Sequence, residues 1–346
     1  AIFPLHEHTY PHLAELLRFV SSPRSNALGM NRCRLLLTRN KAVTVLPRGA
    51  TLRAPARPAS TQPVPIETVL KGNVLMVMFN NPKKLNAWTD PVLRGLLASM
   101  TEAKERVDVK GVVVTGKGSY YSAGVDLSNT IQPMLPSKLI RSIRDHNQLL
   151  FDTFICFPKP IVAAVNGPVI GAALTSTLLM DSVIASETAT FSLPFAKLGV
   201  PPEGCSSITL AERMGSEQAQ RMLGLEHWIP TAAEAHAAGL IDEVVSSTAS
   251  DELESPLMIR AHQLVEARIA GGGGRRFDAA EAARLRQVNA LESADLANAF
   301  VSDKFLGAMY DFNVKRKKSR LAHFFWAARA SLPIWQPKAI EPAYPE

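Results

Sequence analysis

The stretch "KPIVAAVNGPVIGAAL" (159–174) decides the fold. Residues 161–165 form an unbroken run of small and β-branched apolar side chains, bounded by Lys159-Pro160 and by Asn166-Gly167-Pro168. A short run of this kind between breakers reads as a strand buried on both faces. The apolar character continues to Met180, long enough to raise the question of a membrane span. However, Asn166-Gly167-Pro168 interrupts it with a turn signature, and the second half, "GAALTSTLLM" (171–180), has the small residues of a buried helix. The chain therefore reads as strand, turn and helix at this point, with no transmembrane segment.

Working outward, "NVLMVMFN" (73–80) and "VKGVVVTG" (109–116) read as further strands around a helical segment at 90–106, "DPVLRGLLASMTEAKER". In 137–154 the residues Leu139, Ile140, Ile143, Leu150, Phe151 and Phe154 fall close to one helical face. "DSVIAS" (181–186) and "ATFSLP" (189–194) are two short strands, and "EGCSSITLAERMG" (203–215) opens a helix. Repeated strand and helix units make the fold class α/β. Beyond "IDEVV" (241–245) the sequence turns helical and charged. The glycines at 271–274 are a joint or loop, because no strand leads into them as a phosphate cradle would require.

Composition limits the function classes. The sequence is 47% apolar and 20% charged, as in a globular protein. Its net charge of +7 lies in the first 66 residues, which leaves 29 basic and 29 acidic residues in 67–346. A broad nucleic-acid face on the body is thereby disfavoured. Cys33, Cys156 and Cys205 are odd in number and show no metal-type spacing, which suits a reducing compartment. No acidic residue occurs from Leu16 to Ile66, whereas arginines are frequent, as in an organellar transit peptide. Met30 would make a better presequence start than Ala1. The Pro-rich "APARPASTQPVP" (54–65) is a linker. The expected organisation is a presequence-like segment and linker over 1–65, an α/β core over 66–250, a helical lid and oligomerisation region over 251–321, and a tail over 322–346.

Four motifs occur in a fixed order: "NNPKKLNAW" (80–88), "YYSAGVDL" (120–127), "KPIVAAVNGPVIGAAL" (159–174) and "ATFSLPFAKLGVPPEGCSS" (189–207). Together they resemble the enoyl-CoA hydratase/isomerase family, over roughly residues 66–320, and within it the Δ3,Δ2-enoyl-CoA isomerases. The resemblance implies a crotonase fold of repeated ββα units with a helical C-terminal region, an acyl-CoA thioester substrate, no metal or redox cofactor, and a homotrimer or dimer of trimers. It also implies two backbone donors for a thioester oxyanion, the N–H groups of Val125 and Ala172, with Gly124 and Gly171 letting the backbone approach closely. Ala172 would open the helix after the turn, where unpaired N–H groups favour an anion. For CoA and substrate contacts it implies Lys84, Ala87, Ser122, Ala123, Asp126, Leu127 and Lys315, and for the acyl chain Leu139, Ile143 and Phe154. Taken singly, each glycine reads as a turn or packing residue, Asp126 as loop-fixing, and Asn166 as structural at the strand-to-helix turn.

The resemblance also separates reactions. The positions at which hydratases carry their two glutamates are Thr175 and Phe195 here, whereas the single glutamate of the isomerases matches Glu203. One carboxylate suffices for moving a proton from C2 to C4. Glu203 is expected to begin a helix, where the dipole favours its charged form while burial raises its basicity. A dienoyl-CoA isomerase, an acyl-CoA hydrolase, a weak hydratase and a non-catalytic acyl-CoA-binding scaffold remain alternatives. Localisation is expected to be mitochondrial, with peroxisomes or related microbodies second, since "KRKKSRL" (315–321) is followed by 25 further residues and is not a C-terminal address.

Overall fold

The computed structural model describes residues 65–126, 135–246, 253–272 and 274–344. The basic segment 1–64 and Leu127 lie outside the described residues. The body starts with a hairpin, β1 (Ile66–Lys71) and β2 (Val74–Phe79), closed by Gly72 at φ +60 and paired Ile66 to Phe79 through Lys71 to Val74. The sequence reading missed β1. Its half-exposed alternation is that of an edge strand and is weaker than the continuous runs of the central strands.

After β2, helix α1 (Asp90–Glu105) returns the chain to β3 (Gly111–Gly116), and α2 (Pro136–Ile155) returns it to β4 (Ile161–Val165). Strands β6 (Ser182–Ser186) and β8 (Glu243–Val245) complete a six-stranded sheet of order β1-β2-β3-β4-β6-β8, parallel beyond the first pair. A two-stranded sheet, β5 (Val169–Ile170) with β7 (Phe191–Ser192), stands apart from it.

The central strands supply both of their faces to apolar cores, which explains their near-continuous hydrophobicity. Leu75, Val77 and Phe79 of β2, Val112 and Val114 of β3, and Ile161, Ala163 and Val165 of β4 enter one core with α1 and α2. Their alternates Val74, Met76, Val113, Val162 and Ala164 enter a second, covered by Leu257, Met258, Ala261 and Val265 of α8 (Pro256–Ala270). Between these helices come the short α3 (Ala172–Thr177) and α4 (Phe195–Leu198), then α5 (Ser206–Met214), α6 (Ser216–Leu223) and α7 (Ala232–Ala237). The helical region continues through α9 (Ala279–Ala299), α10 (Asp303–Lys315), α11 (Ser319–Ala330) and α12 (Leu332–Trp335).

One C-terminal feature adds to the sequence reading and another differs from it. The loop before α9 is anchored at Arg275 and Arg276: Arg275 Nε meets the buried Asp181 carboxylate at 3.1 Å, and its other nitrogens reach the carbonyls of Phe154 and Leu179. Arg276 N–H donates to the same carboxylate at 2.6 Å. Of the segment 322–346, expected as a tail, residues 322–335 instead continue the helical region through α11 and α12, where Ala322, Phe325 and Leu332 are buried. Ile340 then exchanges hydrogen bonds with Asn298 of α9, and Gln148 of α2 donates to Ala343 O at 2.7 Å.

Candidate active site

A cavity of about 1260 Å³ opens between the C-terminal ends of the strands, α2 and the C-terminal helices. It brings together the backbone of 123–126, the Ile170–Ala172 turn and Glu203, along with Lys84, Ala87 and Lys315. These residues span 232 positions of the chain.

The loop before Val125 is built by side chains. Asn86 donates to the carbonyls of Lys117 and Tyr120 at 2.8 Å each, and Ser122 Oγ donates to Asn86 O at 2.8 Å while accepting Gly124 N–H at 3.1 Å. Ser122 is buried and fixes the loop from behind; it does not line the cavity, unlike its neighbours Ala123, Gly124, Val125 and Asp126. The two glycines act differently. Gly124, at φ +76, lies so close to the next loop that a Cβ would sit 2.6 Å from Ile170 O. At Gly171, by contrast, a Cβ would meet nothing within 4 Å. That residue is required by its φ of 60 and ψ of −133, which side-chain-bearing residues avoid, so close approach is not its reason.

Trp88 N–H donates to Gly124 O and Asp126 N–H to Trp88 O, so the Val125 N–H between them is left out of the pairing. Ala172 is the first residue of α3, where helical geometry supplies no acceptor for its N–H. Among the described residues neither N–H has a protein acceptor. Asn166 holds more than the turn beside it: its amide joins Gly116 N–H to Gly118 O, bracing the end of β3.

Glu203 is only 7% exposed. Its carboxylate accepts a 2.5 Å hydrogen bond from Asn147 Nδ2 of α2, and Asn147 Oδ1 in turn accepts from Ser293 of α9 at 2.8 Å. Burial pushes the Glu203 carboxyl up to about 7, helped by the charge of Glu292 and opposed by the Asn147 hydrogen bond. The expectation that Glu203 begins a helix is not met. Gly204 and Cys205 both take left-handed conformations, at φ +66 and +63, and α5 starts only at Ser206. The N–H groups at that helix start are taken by Glu292, which accepts from Cys205 at 2.6 Å and Ser207 at 3.0 Å. Burial therefore dominates at Glu203, and the helix terminus is neutralised by a different acid.

Thr175 and Phe195 are both buried. The Thr175 hydroxyl donates to Ala172 O at 3.2 Å, and a Cβ on Gly204 would lie 2.7 Å from its oxygen, so the turn carrying Glu203 packs directly on this position. Of the side chains expected around an acyl chain, Ile143 lines the cavity. Leu139 faces away to pack with Ile140, Ala297 and Val301, and Phe154 is core. The apolar wall is instead Leu93, Leu97, Leu150, Phe195, Phe300 and Phe312.

Sequence reading missed Asn147 and Glu292. Each is a polar residue on an apolar stripe: Asn147 is four residues after Ile143 and three before Leu150, and Glu292 is four after Val288 and four before Leu296. A polar side chain at such a position must find a buried partner, and that was the available signal.

The sequence model for enoyl-CoA hydratase/isomerase matches residues 70–319. Human enoyl-CoA delta isomerase 2 is 36% identical over 250 residues, 71% of this chain and 62% of that protein, so the chain spans less than two thirds of that relative. Mouse peroxisomal enoyl-CoA delta isomerase 3 is 31% identical over 250 residues, 72% of this chain and 78% of the relative. The crystal structure of an enoyl-CoA hydratase/isomerase from Pseudoalteromonas atlantica superposes with a TM-score of 0.59 at 25% identity, covering 72% of this chain and 97% of its own. The order of the sheet, the loop geometry and these matches agree, and the chain belongs to the enoyl-CoA hydratase/isomerase family, with a crotonase-like fold.

Proposed function

We propose that the protein is a Δ3,Δ2-enoyl-CoA isomerase, converting a 3-enoyl-CoA to the 2-trans isomer during oxidation of unsaturated fatty acids. The observation that carries this reading is one buried carboxylate, Glu203, in the same cavity as two backbone N–H groups without protein acceptors among the described residues; it is supported by the resemblance, which assigns the positions of a hydratase's acids to Thr175 and Phe195. Hydration needs groups to activate and deliver water; allylic isomerisation needs one base that also returns the proton.

In the proposed reaction the thioester carbonyl accepts from Val125 and Ala172. Glu203, ionised, takes a proton from C2; the electron pair delocalises through the carbonyl and the C3–C4 double bond as a dienolate. The two N–H groups stabilise the charge where it develops, without reorganising. The protonated Glu203 then delivers the proton to C4, leaving the double bond between C2 and C3. A carboxyl held near 7 by burial suits both halves, being basic enough to take the proton and acidic enough to release it. The chemistry calls for no redox or metal cofactor. Lys84 and Lys315 on the cavity wall are suited to the CoA phosphates. An organellar site of action follows from the basic N-terminal composition, and the mouse relative is named as peroxisomal.

The test is turnover of a 3-enoyl-CoA by the full chain, followed as formation of the conjugated 2-enoyl thioester. Glu203→Gln is expected to abolish it while CoA binding persists. Undiminished turnover in that variant removes Glu203 as the base, and binding without turnover in the parent favours a non-catalytic scaffold.

A further inference from the structure

One face of α9 reaches the turn that carries Glu203 from two directions. Asn289, Glu292 and Ser293, spaced by three and four residues, are all fully buried and point the same way. Ser293 holds Asn147, assisted by Asn289, whose amide donates to Gln148 O and to Asp152 at 2.9 Å each. Asn147 then holds the Glu203 carboxylate itself. Glu292 holds the backbone just beyond Glu203, at Cys205 and Ser207.

The backbone there is one that does not persist unaided. Cys205 is a side-chain-bearing residue in the left-handed region, directly after the left-handed Gly204. A Cβ on Gly204 would strike Phe151 at 2.4 Å, so the turn is wedged between α2 and α3 on one side and Glu292 on the other. An apolar residue in place of Glu292 would leave the Cys205 and Ser207 N–H groups without their acceptor, so the turn that carries Glu203 depends on this carboxylate. Its use lies in what it orients.

We propose that Glu292 and Ser293 are positioning residues for Glu203, setting both where its carboxylate points and how tightly it holds a proton, so that the C-terminal helix α9 governs the base. This rests on the reading of Glu203 as the base. The two act with opposite sign. Glu292, itself pushed up to about 7 chiefly by burial, disfavours a second charge on Glu203 once it ionises, whereas Ser293, by orienting the Asn147 amide, favours it. The other titratable or charged groups near this turn are Asp295 of α9, Asp152 of α2, Cys205 itself, and Glu212 and Arg284 at its outer edge.

The experiment is a pH titration of the Glu203 carboxyl by infrared difference spectroscopy, its band assigned by loss in Glu203→Gln, in the full chain of the parent, Glu292→Gln and Ser293→Ala. Alongside it, kcat and KM are measured against pH. Glu292→Gln is expected to move the Glu203 midpoint and the acidic limb of kcat downward by about half a pH unit or more, and Ser293→Ala to move both upward. Each variant is expected to lower kcat roughly tenfold to a hundredfold with KM little changed. A midpoint unmoved in both folded variants overturns the proposal. Should Glu292→Gln not fold, Ser293→Ala carries the test: an upward shift supports the proposal and an unmoved midpoint overturns it. A parent that turns over no 3-enoyl-CoA, yet whose Glu203 midpoint shifts in opposite directions as stated, removes the reaction and leaves the positioning role standing.

Discussion

Replacing Glu203 by glutamine should cost activity and add stability, with the stability gain depending on pH. Glutamine keeps the shape and an oxygen to accept from Asn147, so the fold has no reason to change. What is removed is a buried carboxyl displaced from its ordinary 4.5 to about 7. A carboxyl whose folded value is raised favours the native state only while protonated. Its contribution is complete below the unfolded value and is lost as the pH rises through the folded one. The window therefore runs from about 4.5 to about 7, and the displacement corresponds to about 3 kcal/mol once the group is ionised. Glu292 titrates in the same range, raised chiefly by burial, but it is present in both proteins and its effect largely cancels in the difference. The assay is urea unfolding of parent and Glu203→Gln at several pH values. The variant should gain little at about pH 4.5 and about 3 kcal/mol at about pH 8, while turnover falls about a thousandfold or more. A stability difference that does not change with pH would refute the premise that Glu203 is held in a desolvated, base-like state.

Three further outcomes follow from the same geometry. Asn147→Ala removes the hydrogen bond that favours charged Glu203, so the acidic limb of the pH–rate profile should move to higher pH and kcat should fall about tenfold or more. Gly124→Ala places a Cβ 2.6 Å from Ile170 O and must displace the Val125 N–H, so kcat should drop about a hundredfold with CoA affinity less affected, measured by steady-state kinetics and calorimetry. Asp181→Ala leaves the buried Arg275 guanidinium and the N–H groups of Ile161 and Arg276 without their acceptor, and should destabilise the fold by about 3–5 kcal/mol in chemical unfolding.

Much of this molecule was legible in the chain because its informative signals are local. The run at 161–165 between breakers gave a doubly covered strand, and Gly124 of "SAGVDL" and Gly171 of "NGPVIGA" take the positive φ that favours glycine. What escaped detection depends on contacts between distant segments. Glu203 was legible as the lone acid of its motif, but its surroundings come from Asn147 and Glu292, 56 positions before it and 89 after. The helix expected at Glu203 starts later because two left-handed residues intervene, and no propensity assigns that conformation to Cys205. The strand β1 and the packed helices α11 and α12 were missed for a simpler reason: each buries few of its side chains, Ile66 in β1, Ala322 and Phe325 in α11 and Leu332 in α12, and their place is fixed by the surface they cover.

The central claim is that one carboxylate carries a proton from C2 to C4. It is tested most directly by giving the full chain a 3-enoyl-CoA deuterated at C2 under single-turnover conditions and locating the label by NMR. With Glu203 buried and shielded from water, deuterium should appear at C4 of the 2-enoyl product. A product whose C4 hydrogen comes wholly from solvent would contradict the single-carboxylate shuttle.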